Sequence, residues 1–239
     1  MYFYLSEGLL GLLQRASFND FQRASGARRE HAHPGTTVPL DNPCALRGET
    51  ELCWPSVALL PRYLCALERG WTQGDEDPAD VRGTSRIRAK IAADPEGFVA
   101  SQVDLDALAG PLVLPDGSAV ARLPGYRRWI WDGDFCGTIG LRWLPGTNAL
   151  PPHCLGHIGY SVVPWRRNLG HARRALALLL PEARARGLSY VDISADASNE
   201  PSLCVIRANG GELVERFSLP TAFSTLGVRQ ALRFRILLS

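Results

Sequence analysis

The chain has 239 residues, room for one large domain or for a domain with an appendage. A hydrophobic fraction of 46% and a charged fraction of 21% are those of an ordinary globular protein with a sizeable core. A formal net charge of +2, with the acids spread evenly among the bases, excludes a general pull toward nucleic acid or an anionic membrane.

Residues 1–47 open with "MYFYLSEGLLGLLQRASF" and continue through an Arg-, Ala-, Gly- and Pro-rich stretch with neither a 3.6- nor a 2-residue period. They read as a flexible N-terminal extension, leaving 48–239 as the folded domain. The opening lacks a basic region and carries Glu7 inside its apolar run, so no signal peptide is expected. No stretch reaches the roughly 20 apolar residues of a membrane span, which points to a cytoplasmic protein without a membrane partner. Six cysteines, at 44, 53, 65, 136, 154 and 204, form no C-x-x-C pair and read as free thiols. His31 and His33 form an H-x-H pair with no further ligand nearby, so solvated histidines are expected there.

From about residue 49 the punctuation becomes regular. "TELCWP" is a short strand stopped by Pro55. A helix follows, with Ser56 as N-cap, Val57, Leu60, Leu64 and Leu67 on one face, Pro61 in its first turn and Gly70 as its stop. The acidic run Asp75, Glu76, Asp77 and Asp80 reads as a solvated loop, with steering of a cationic substrate as its functional alternative. A second helix spans "TSRIRAKIAADPEGFVASQVD" with a break at Asp94-Pro95, and "LPDGSAV" is a turn. "YRRWIWDGDFCGTIGLRW" is a hairpin turning at Asp132-Gly133-Asp134, with Trp129, Trp131 and Trp143 as packing residues. "GHIGYSVV" is a strand. A helix then carries Ala172, Ala175, Leu176, Leu179 and Leu180 on one face, with a kink or restart at Pro181 and a stop at Gly187. "SYVDISAD" is a strand, Asn199 caps a short helix ending at Gly210, and "ELVERF" and "LRFRILL" are the last strands. The order β-α-α-β-β-β-α-β-α-β-β is that of a mixed α/β fold.

The stretch Gly159–Leu180 carries the chemistry. A strand runs through Val162-Val163-Pro164 into Arg167-Asn168-Leu169-Gly170-His171-Ala172 and then a helix. A helix N-terminus presents unpaired amides and partial positive charge, and Gly170 and Ala172 leave room for a phosphate to approach. Arg166 and Arg167 add cationic donors. No Lys-Ser/Thr follows the glycine, as a P-loop requires, and there is no G-x-G-x-x-G.

This loop, entered through V-x-P and shaped [R/Q]-x-x-G-x-[G/A], resembles that of the GNAT superfamily of acyl-CoA N-acyltransferases. The surrounding order of strand, helix, "YVDISAD" and "NEPSLCVIRANGG" is similar too, and "GHIGYSVVP" with "IRANGGEL" resembles a bacterial acetyltransferase branch. The resemblance covers about 49–239. It implies a mostly antiparallel central sheet with helices on both faces and a V-shaped splay between the fourth and fifth strands. It also implies acetyl-CoA as co-substrate: amides of Arg167, Asn168, Leu169, Gly170, His171 and Ala172 on the pyrophosphate, Ser161, Val162 and Val163 along the pantetheine, and Asn199 bordering that arm.

The implied reaction is transfer of acetyl to a primary amine by direct attack, in a monomer or homodimer, without metal. The attacking amine must be neutral although a Lys-like amine has a pKa of about 10.4, so a base is required, and the leaving thiolate benefits from an acid. Family members often use a tyrosine as that acid; the matching position here is Ile206. His157, Tyr160 and Cys204 are the nearby candidates, His157 having a structural histidine as its alternative. "HCLGH" (His153, Cys154, His157) has no standard zinc spacing. The departure at Ile206 leaves a second class open, a non-catalytic acyl-CoA-binding protein of the same fold.

Overall fold

The computed structural model describes residues 48–72, 81–114, 117–218 and 230–238. The expectations for residues 1–47, His31 and His33 among them, and for the acidic run Asp75 to Asp80 lie outside the described residues.

The chain enters through β1 (Glu51–Cys53). Ser56 is extended ahead of a 3-10 turn, Val57–Leu59, but its side chain makes no capping bond, contrary to expectation. α1 (Leu60–Glu68) follows with Pro61 in its first turn, where a missing N–H costs nothing. α2 (Val81–Ala93) and α3 (Pro95–Ala100) divide at Asp94, whose carboxylate accepts from Gly97 N at 2.8 Å. Three two-residue strands absent from the sequence reading come next: β2 (Val103–Asp104), β3 (Leu112–Val113) and β4 (Ala119–Val120).

β5 (Gly125–Trp131) and β6 (Phe135–Arg142) form the expected hairpin, and β7 (Ile158–Val162) adds to β6. A 3-10 turn, Pro164–Arg166, leads to α4 (His171–Ala185). The helix runs through Pro181 without restarting: Leu176, Leu179 and Ala183 are buried on one face on both sides of the lost bond and hold it to the sheet. β8 (Tyr190–Asp196), α5 (Glu200–Arg207), β9 (Glu212–Ser218) and β10 (Gln230–Leu237) complete the described elements.

The strands pair antiparallel in two larger sheets. One has the order β1-β5-β6-β7, with β2 also on β5; the other is β8-β10-β9. The break between them falls between β7 and β8, the fourth and fifth strands of the sequence reading. Alternation along each strand divides the core by face. On one face Tyr63 stacks on Trp129 at 5.0 Å, with Leu67, Trp71, Phe98, Phe135 and Val163 around them. On the other, Ala175, Leu176 and Leu179 of α4 and Leu203 and Ile206 of α5 cover Ile130, Ile139, Ile158, Val191 and Ile193. Each large side chain so buried contributes roughly 1.5–3 kcal/mol, and helices cover both faces.

Candidate functional site

β7 has one paired edge and one open edge. Arg142 N donates to His157 O at 2.9 Å, and Val163 N donates to Cys136 O at 3.0 Å. These bonds lie in the same phase of the ladder, so residues 159, 161 and 163, together with the carbonyl of His157, turn their backbone groups toward β6. The N–H and C=O groups of Ile158, Tyr160 and Val162 therefore point the other way, toward β8. Among the described residues β8 meets that edge at its foot alone. His157 N donates to Asp192 O at 2.7 Å, and Asp192 N donates to His157 Nδ1 at 2.9 Å, so the imidazole stands in for a ladder carbonyl. Beyond this joint the strands belong to different sheets, and a line of backbone donors and acceptors faces the gap.

The loop beyond β7 closes one end of the gap. Arg167 is extended, and its Nε donates to Val162 O at 3.2 Å. Asn168 and Gly170 both lie in the left-handed region, with φ of 61° and 83°. Gly170 is the N-cap of α4 and offers no side-chain acceptor to the first amides, and no acid occupies the first turn. Arg173 and Arg174 stand in that turn instead, against the helix dipole. A helix start built this way suits an anion supplied from outside.

Behind the loop lies a polar network, buried at Thr50, Asp132 and His171, that the sequence reading missed. Arg174 donates from Nε to Thr50 Oγ1 at 2.8 Å and from NH2 to Leu169 O at 2.6 Å. Thr50 Oγ1 also pairs with His171 Nδ1 at 2.9 Å. His171 Nε2 lies 3.5 Å from Asp132 Oδ2, which also receives Arg166 NH1 at 3.2 Å. Arg166 thus turns inward to Asp132 and Asp134 rather than standing beside the loop as a free cation. The Thr50 partners in this network are 121 and 124 residues away in sequence, and a first-turn Arg at an uncapped helix start was the one local sign of it.

The remaining sequence-derived residues fall as follows. His157 is fully buried, and burial lowers its pKa to about 4, which keeps it a neutral acceptor at the joint. The Tyr160 hydroxyl pairs with Ser202 Oγ at 2.8 Å and donates to Ser202 O at 3.2 Å, tying β7 to α5; burial pushes its pKa up. Cys204 is exposed on α5 beside Glu200, with Sγ to Oε1 3.7 Å. Ile206 is fully buried in the α4–α5 face of the core. Asn199 caps α5, its Oδ1 accepting from Ser202 N at 3.2 Å. Ser161 Oγ accepts from Trp71 Nε1 at 3.1 Å, which brings the end of α1 to β7. Val163 is buried and Ala172 packs on the core. His153, Cys154 and His157 do not gather; the potential ligand group among the described residues is Asp132, Cys136 and His171, all buried.

Comparison with known proteins agrees with this fold. Residues 95–210 match the model of the acetyltransferase (GNAT) family. Among solved structures, a microcin C7 self-immunity acetyltransferase in complex with acetyl-CoA and AMP aligns with TM-score 0.52 at 14% identity, over 79% of this chain and 92% of that one. A ribosomal L7/L12 alpha-N-protein acetyltransferase in complex with coenzyme A aligns with TM-score 0.52 at 16% identity, over 82% and 97%. A probable acetyltransferase aligns with TM-score 0.54 at 16% identity, over 79% and 93%. No curated protein matches the chain.

Proposed function

Since the chain carries an acetyltransferase (GNAT) family domain at residues 95–210, we propose that it is an N-acetyltransferase that moves an acetyl group from acetyl-CoA to a primary amine within a ternary complex. The observation that carries this reading is the open edge of β7 running into the Gly170 turn. The pyrophosphate sits on the amides of Arg167 to Ala172, and the pantetheine lies along Ile158 to Val162 as a strand would. The Val162 N–H faces the thioester oxygen. The amine nitrogen attacks the carbonyl carbon, the oxyanion is met by backbone N–H, the C–S bond breaks, and coenzyme A leaves as the thiol. The amine gives up one proton and the thiolate takes one. Neither exchange is assigned to a residue, because His157 and Tyr160 are engaged in the fold and Cys204 is paired with Glu200.

The buried Ile206 and the engaged Tyr160 favour a second reading, an acyl-CoA-binding protein without turnover. Thiol release from acetyl-CoA across a panel of primary amines, beside calorimetry with coenzyme A, separates the two. Binding with turnover supports the enzyme, binding without turnover supports the second reading, and absence of binding sinks both. We place the protein in the cytoplasm as a monomer or homodimer. Residues 1–47 are an extension dispensable for folding, so a chain starting at Gly48 keeps its melting temperature; a large drop refutes that division.

A further inference from the structure

The turn Asp132-Gly133-Asp134 has no part in the reading above, yet the phosphate loop rests on it. The Asp132 side chain is 1% exposed, and a buried carboxylate persists only where its charge is met. The partners come from both ends of the loop: Arg166 at 3.2 Å from the turn before it, and His171 Nε2 at 3.5 Å from the first residue of α4. The segment between them, Arg167 to Gly170, contains both left-handed residues of the loop. Asp134 adds a second contact to Arg166 at 3.6 Å, and Arg62 reaches Asp134 at 3.8 Å. On the far side of His171, Thr50 fixes the ring at Nδ1 and receives Arg174, which in turn holds Leu169 O.

We propose that Asp132 is a positioning residue for the phosphate loop: with His171, Arg166 and Thr50 it sets the spacing of the amides that receive the pyrophosphate of coenzyme A. This rests on the acyl-CoA reading. The same cluster, with Cys136, has the donor types of a metal site, its ligand atoms lying within 4.8 Å of one another. Two observations point to an ion-pair network instead. Asp132 Oδ2 already carries Arg166 at 3.2 Å, and His171 Nδ1 is already engaged by Thr50 Oγ1 at 2.9 Å. The partial positive charge of the α4 N-terminus also opposes a cation there.

The test compares wild type with Asp132→Asn and Thr50→Val, using calorimetry with coenzyme A and ligand-observed NMR with pantetheine, which lacks the pyrophosphate. Each variant is to weaken coenzyme A about tenfold, the scale of one misplaced charge-assisted contact, and to leave pantetheine binding as in wild type. Thermal melts establish folding, and Thr50→Val carries the test if Asp132→Asn does not fold. Wild-type affinity for coenzyme A in a folded variant overturns the proposal, as does an equal loss for pantetheine. Stoichiometric zinc in the purified wild type, lost in Asp132→Asn, overturns it in favour of a metal site. Failure of wild type itself to bind coenzyme A is the separate outcome that removes the acyl-CoA reading first.

Discussion

Substitution at Gly170 separates binding from folding. With φ 83° and ψ 0° the residue is left-handed, where an L side chain costs roughly 1–2 kcal/mol. A Cβ there meets Arg174 NH1 at 2.8 Å, so the guanidinium that holds Thr50 and Leu169 O must shift slightly, a side-chain adjustment small beside the cost of unfolding the domain. Against a margin of about 5–15 kcal/mol the domain still folds. Gly187 supplies the control: its φ is 84° and nothing lies within 4 Å of an added Cβ. Gly170→Glu places a carboxylate at the uncapped start of α4, where the dipole welcomes it in the free protein. The same carboxylate repels a pyrophosphate there. One charge pair about 5 Å apart at an effective dielectric of about 20 is worth roughly 3 kcal/mol, and even half of that is about tenfold in affinity. Calorimetry with coenzyme A is therefore to show at least a tenfold loss for Gly170→Glu, a smaller loss for Gly170→Ala and none for Gly187→Glu, while melts show similar small destabilisation in all three. A folded Gly170→Glu with wild-type affinity refutes the reasoning, and so does an equal loss in Gly187→Glu.

Gly137 has φ 146°, and a Cβ there would come within 2.0 Å of Ser161 O and 2.9 Å of Val162 Cα. Gly137→Ala is to push β7 away from β6, lowering stability by about 1–3 kcal/mol and weakening coenzyme A; chemical denaturation and calorimetry on one sample check both. His157, held at about 4 in the fold against an ordinary 6.5, binds fewer protons folded than unfolded between those values. Stability is thus complete above about pH 6.5 and falls as pH drops toward 4, by roughly 3 kcal/mol over the window; urea midpoints against pH are to show a shallower slope for His157→Gln, and an unchanged slope would contradict the assignment. Tyr160→Phe removes the tie to Ser202 and is to cost about 1 kcal/mol in stability with turnover within a few-fold of wild type; a loss of about a hundredfold or more would make the hydroxyl the acid.

What the sequence made legible was local. The strand stop at Val163-Pro164, the glycine at an uncapped helix start, the Asp94-Pro95 break and the Asp132-Gly133-Asp134 hairpin are each written within a few residues, because caps, turns and periodicity act at that range. β2, β3 and β4 escaped because two residues carry no period. The network behind the loop escaped for a different reason. Thr50 meets His171 across 121 residues, Trp71 meets Ser161 across 90, and no feature of either partner announces the other. His157 shows the limit most clearly: a structural histidine is one of its two readings, but nothing local announces that its Nδ1 replaces a backbone carbonyl in the joint of two strands.

That joint explains why an opening and an anion site occur together. β7 and β8 both start near it, since His157 precedes β7 by one residue and Asp192 is the third residue of β8. With α4 crossing between them, both strands run away from the joint toward their C-terminal ends. A helix returning from the end of the first strand must begin at that same edge, so its positive N-terminus faces the side where the strands have parted. The register of β6 with β7 then decides what lines the parting: the phase fixed by Arg142 to His157 and Cys136 to Val163 turns the Ile158, Tyr160 and Val162 backbone toward it. A slip of one residue would turn the 159, 161 and 163 groups there instead and bring the core side chains to the opposite face. The close approach at Gly137, where an added Cβ would strike Ser161 O, holds that register at the strand end nearest the loop.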